Sequence, residues 1–96
     1  MNEWIRLFEM SVSREEFLRL LPAALGGESF EEAGNRFLHQ EPERHWSLTL
    51  SPLPDLDLGS LHLARHAVVW RFAGYSLTEI DALVGRFERH FQRGGG

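Results

Sequence analysis

Histidine and arginine are the residues of this 96-residue chain best equipped for chemistry, and their placement limits what that chemistry could be. Five histidines occur, His39, His45, His62, His66 and His90, and there is no cysteine. The missing thiols exclude cysteine nucleophiles, disulfides and cysteine-ligated zinc or iron–sulfur sites together. His62 and His66 have the i, i+4 spacing that lets two imidazoles share a metal on a helix. On a strand the same pair would stand about 13 Å apart, and the residues around them read as strand. No metal and no cofactor is therefore expected.

A second group could hold a ligand. Arg65, His66, Trp70 and Arg71, together with Trp46, would make a cationic, aromatic-walled patch suited to a small anion or a planar molecule. The run Arg65-His66-Ala67-Val68-Val69-Trp70-Arg71-Phe72 also loosely resembles a sheet on which single-stranded bases stack. Charge speaks against nucleic acid and anionic membranes, because 14 acids against 10 arginines leave −4. The imbalance is uneven: residues 1–34 carry 7 acids against 3 arginines, residues 35–60 carry 4 against 2, and residues 61–96 carry 3 against 5. Ion pairing with the acidic first third therefore competes with the ligand reading of Arg65 and Arg71. There is no Gly-x-Ser-x-Gly elbow, phosphate loop or Gly-x-Gly-x-x-Gly, so an enzyme has no motif behind it and a non-catalytic role is preferred.

The elements that must position these residues are clearest from Leu61 to Phe91. Val68, Val69, Trp70 and Phe72 suit a pleated surface, and Ala73-Gly74 ends the strand. Both of its parities are partly apolar, which predicts a central strand with its second face at least partly covered. Ser76 and Glu79 then form a capping box with Tyr75 and Ile80 as a staple. Leu77, Ile80, Leu83, Val84, Phe87 and Phe91 recur at helical spacing on one face. Upstream, Glu3 to Met10 alternates as a strand, and Ser13 with Glu16 opens a first helix that Gly26-Gly27 stops, with Pro22 expected to kink or end it near Leu21. Over residues 28–40, Ser29 and Glu32 could cap a short third helix carrying Phe30, Ala33 and Phe37, yet Gly34-Asn35 interrupts it and residues 36–40 are read as a strand; 41–44 read as a turn and 45–50 as a half-buried strand. Residues 51–60, with two prolines and a glycine, read as a loop.

The expected fold is α+β: a two-layer sandwich in the order β-α-β-β-β-α, with a mostly antiparallel sheet of about four strands and two amphipathic helices on one face. The order resembles a ferredoxin-like variant, an architectural analogy that carries no activity. Residues 1–93 are read as a single domain and 94–96 as a flexible tail. No apolar stretch approaches a membrane span and the N-terminus lacks a signal pattern, so a soluble, cytoplasmic protein is expected.

Two helices cannot cover both faces of such a sheet. The uncovered face is expected to be a homodimer interface carrying Trp4, Phe8, Trp46, Trp70 and Phe72, because a wet aromatic face wastes stability and invites aggregation. The alternative is that residues 51–60 fold over it. The function expected is a binding or assembly module that contacts a second copy or another protein. The runner-up is a small-molecule-binding domain, or a small enzyme, using Arg65, His66 and Arg71.

Overall fold

The computed structural model describes residues 3–95. Seven elements follow in order: β1 (Glu3–Met10), α1 (Arg14–Ala24), β2 (Glu31–Ala33), β3 (Arg36–Gln40), β4 (His45–Leu58), β5 (Leu61–Ala73) and α2 (Leu77–Gly95). The protein is α+β, with two helices on one face of a five-stranded antiparallel sheet ordered β1-β5-β4-β3-β2. It has no split β-α-β unit of the ferredoxin-like kind. Instead β2 to β5 form a meander, and β1 adds to the far side of β5 in antiparallel register. β5 is accordingly a strand with neighbours on both sides.

Local chemistry accounts for the helices. Ser13 accepts a hydrogen bond from the Glu16 N–H at 3.1 Å, capping α1, while the Glu16 carboxylate turns to Arg19 instead of completing the expected box. At α2 the box is complete: Ser76 Oγ accepts from the Glu79 N–H at 3.2 Å, and Glu79 accepts from the Ser76 N–H at 2.9 Å. Pro22 lies inside α1 without ending it at Leu21. It stands near the C-terminus and is exposed, so only one late hydrogen bond is lost.

Two stretches differ from their expected form. Residues 31–33 make a short strand whose link to β3 is Gly34-Asn35, with Gly34 at φ 66°, a conformation a two-residue hairpin loop reserves for glycine. More consequential, residues 51–58 are not a loop lying over the sheet but a continuation of β4, paired with β5 as far as Leu58 and Leu61. Pro52 is tolerated because of which edge it faces. The Leu50 N–H points toward β3, where it bonds the Asn35 carbonyl at 2.8 Å. Two residues on, Pro52 aims its missing N–H to the same side, where β3 has already ended. The chain also steps out of register between Leu53 and Leu56, a bulge that contains Pro54.

The β4–β5 hairpin runs past the two-layer body and gives the molecule its long axis, 48 × 25 × 22 Å. The radius of gyration is 14.0 Å, against about 12.5 Å for a compact chain of this length. The core lies between the helices and the even-numbered positions of β1, β5 and the first half of β4, with the odd-numbered Phe37 and His39 of β3. Phe17 and Leu21 of α1 and Ile80 and Phe87 of α2 pack there on Phe37, Trp46, Leu48, Val68, Trp70 and Phe72. Phe87 is central, with its ring 5.2 Å from Trp70, 5.4 Å from Phe8 and 4.6 Å from Phe91. Leu77, expected on this face, is exposed instead, and α2 reaches Gly95, so of the glycines read as a tail only Gly96 lies outside the described residues.

Candidate functional site

The residues proposed for a ligand patch do not come together. Consecutive strand residues point to opposite faces, so Arg65 and Arg71 stand on the outer face of β5 while His66 and Trp70 stand on the helix-covered face with Trp46. Arg65 is paired with Glu9 of the neighbouring strand at 2.7 Å. The buried His66 places Nδ1 2.7 Å from the Val12 carbonyl, tying β5 to the entry of α1. His62, four residues away along β5, is exposed and bonds Asp57 across the hairpin.

The five aromatics expected at an interface also sit on the helix-covered side. Trp46, Trp70 and Phe72 are fully buried, and Trp4 and Phe8 pack against the same core. Trp46 and Trp70 meet edge to face at 5.6 Å, an arrangement the ring quadrupoles favour. Trp46, Trp70 and Phe72 are thus taken up by the core, while Trp4 and Phe8 are half-buried at its edge.

What the helices leave uncovered is aliphatic. Ile5 and Leu7 of β1, Leu56 and Leu58 of β4 and Leu61 of β5 are exposed, and they make up five of the six exposed large hydrophobic residues among the described residues. All five lie on the face away from the helices. For β1 this follows from its alternation of exposed odd and half-buried even positions. For the hairpin it follows from the register, since Leu56 and Leu58 oppose Leu63 and Leu61, which share the parity of Arg65 and Val69. Leu53, Leu63, Ala67 and Val69, each half-buried, fill the space between. The hairpin extension carries leucine where a protruding two-stranded ribbon is marginally stable alone in water.

The end of the sheet opposite the hairpin tip holds the most concentrated charge. Glu28, His39 and Glu41 bring one ligating atom each within 4.8 Å of one another. His39 is buried and stacks on Trp46 at 5.5 Å. Its Nδ1 lies 2.6 Å from the Ser29 carbonyl, and its Nε2 lies 2.7 Å from Glu41 and 3.4 Å from Glu28. Two ligands on one zinc-like ion, with bonds of about 2.1 Å, would stand roughly 3.0–3.4 Å apart, so the 2.7 Å contact is that of a hydrogen bond. Because a carbonyl and a carboxylate only accept, this geometry suits a ring that donates from both nitrogens, the imidazolium form. Burial pulls the His39 pKa down, but the hydrogen bond to Glu41, the Ser29 carbonyl and the Glu28 charge outweigh it and raise it above the ordinary histidine value.

Arg44 closes the cluster. Its Nε donates to Glu41 at 3.1 Å, its Nη1 donates to Glu79, and its guanidinium lies 4.7 Å from the centre of the Tyr75 ring. Burial pushes the Tyr75 phenol up to about 12. The Glu41 carboxyl is held below its usual range by the His39 hydrogen bond and then by Arg44. The charged groups pair with one another and clasp the 41–44 turn to the start of α2, a structural task, while the buried Tyr75 hydroxyl has no hydrogen-bond partner among the described residues.

The chain matches no protein-family model, no curated protein and no solved structure. No helix among the described residues is long and apolar enough to cross a membrane.

Proposed function

We propose that this protein is a binding and assembly module that pairs with a second copy of itself through the outer, aliphatic face of its sheet. The observation that supports this most is the segregation of exposed leucine and isoleucine onto that one face. A monomer in water gains nothing from lining a protruding hairpin with leucines, whereas a second such surface removes them from solvent.

Size favours the reading. The outer face of β1, β5 and β4 is about 40 Å long and roughly 14 Å wide at ordinary strand spacing. Because β1 flanks only residues 66–73 of β5, two copies would bury about 1,000 Å² in total, at the threshold for a biological interface. Contact by face also suits the edges, because Pro52 and Pro54 blunt the free edge of β4 against strand addition. The proposed interface residues differ from the five aromatics expected from the sequence: they are Ile5, Leu7, Leu56, Leu58 and Leu61. Sedimentation of the intact chain at micromolar concentration tests the proposal, with a dimer expected and a monomer contradicting it.

A further inference from the structure

A cleft of about 660 Å³ opens between the two helices and the base of the hairpin, within the size range of small-molecule sites. Its floor is apolar, formed by Phe8 and Met10 of β1, Leu20 of α1, and Phe87 and Phe91 of α2. All five belong to the core or pack against it, so the walls are held in place without a ligand. Three of them are phenylalanines whose rings lie near one another, Phe8 to Phe87 at 5.4 Å and Phe87 to Phe91 at 4.6 Å.

Two helix carboxylates, Glu16 and Glu88, line the cleft, and no arginine does among the described residues. Glu9 also borders it, but its carboxylate turns to Arg65 on the outer face of the sheet, and the lining histidine His62 is bonded to Asp57. Glu16 is paired with Arg19, which stands outside the cleft. Glu88 has no ion-pair partner among the described residues. An apolar floor beneath carboxylates complements a molecule with a hydrocarbon body and a cationic head, and it disfavours the matching anion. Aromatic rings add to this, since they attract quaternary ammonium groups through their faces.

From these features we infer that the cleft binds a small amphiphilic cation, an alkylamine or alkylammonium compound. The site is independent of the pairing proposed above, because its floor lies on the helix-covered side of the sheet. Calorimetric titration of the intact chain with decyltrimethylammonium, decanol and decanoate, each below its micelle-forming concentration, tests the inference. The ammonium compound should bind most tightly and the carboxylate least. The double substitution Glu16→Gln with Glu88→Gln should weaken the ammonium compound on the order of tenfold and leave decanol unchanged. Leu20→Trp, which fills the cleft, should abolish binding of both in a chain whose circular dichroism is unaltered. Absence of heat with decyltrimethylammonium, equal affinity for decanoate, or an unaltered preference in the double glutamine variant would each overturn the assignment. The glutamine variant alters only surface carboxylates, so it remains decisive should Leu20→Trp fail to fold.

Discussion

Leu56 stands opposite Leu63 across β4 and β5, one residue out of step with the Leu53–Arg65 pair behind it. That single step decides where the hairpin leucines point. Leu48 and Leu50 are even-numbered and buried under the helices, yet Leu56 and Leu58, also even-numbered, face away from them. β-Bulges commonly re-aim side chains in this way. The consequence is measurable in one strand. Leu48→Ala should cost about 2–5 kcal/mol, the usual range for emptying a core leucine site. Leu56→Ala should cost about 0.5 kcal/mol or less in the dilute monomer. Urea unfolding that returned equal costs would contradict the register.

Gly74 is the second position where geometry makes a sharp demand. Its φ is 84°, and a Cβ placed there would lie 2.4 Å from the Glu43 carbonyl oxygen and 2.9 Å from Arg44 Cβ. Gly27 has a similar φ, 82°, with open space around it. Gly27→Ala should therefore carry only the backbone penalty of about 1 kcal/mol. Gly74→Ala should lose clearly more, because the turn must also move. Equal shifts in unfolding midpoint would show that the 41–44 turn is not packed on Gly74.

The pH dependence of stability should carry the signature of His39 and Glu41. His39 has a raised pKa in the folded chain. Its contribution is complete below the unfolded value of about 6.5 and is lost as pH rises through the folded value. Glu41 has a lowered pKa. Its contribution is present above about pH 4.3 and is lost as pH falls through the folded value. The pair should stabilise most between about pH 4.5 and about pH 6.5. His39→Gln should lower the melting temperature most inside that window and least at alkaline pH. A difference from the parent chain that stays constant from about pH 5 to about pH 9 would show that the ring is not held as an imidazolium.

Much of this arrangement was legible in the residues, and the exceptions share a cause. The capping box of Ser76 and Glu79, the buried stripe of Ile80, Val84, Phe87 and Phe91, and the strands β1 and β5 all arise from local chemistry that sequence displays directly. β2 is three residues long, too short for a period to show. The outer half of β4 carries Pro52, Pro54, Asp55 and Asp57, whose local preferences point to a loop. It is held instead by hairpin pairing with β5, from Leu53 opposite Arg65 to Leu58 opposite Leu61, and that pairing overrides the local preference of each residue.

The ligand patch is a different matter. Arg65 next to His66, and Trp70 next to Arg71, cannot share a face of one strand, so alternation by itself divides the patch. The aliphatic outer face was less accessible to such reasoning. Ile5 and Leu7 are visible as a second apolar parity of β1, but Leu56 and Leu58 join them only through a bulge that no periodicity announces. The acidic lining of the cleft, drawn from Glu16 of α1 and Glu88 of α2, has no sequence signature at all.

The proposal of self-association stands or falls on the mass of the protein in solution. Sedimentation equilibrium at micromolar concentration should give twice the 11.1 kDa of one chain. It should return to the mass of one chain for the double substitution Leu58→Glu with Leu61→Glu, whose circular dichroism should match the parent. Leu77→Glu, at a large exposed hydrophobic residue away from that face, should leave the dimer intact. A single-chain mass for the parent, or a dimer undisturbed by glutamates at Leu58 and Leu61, would contradict pairing through the outer face of the sheet.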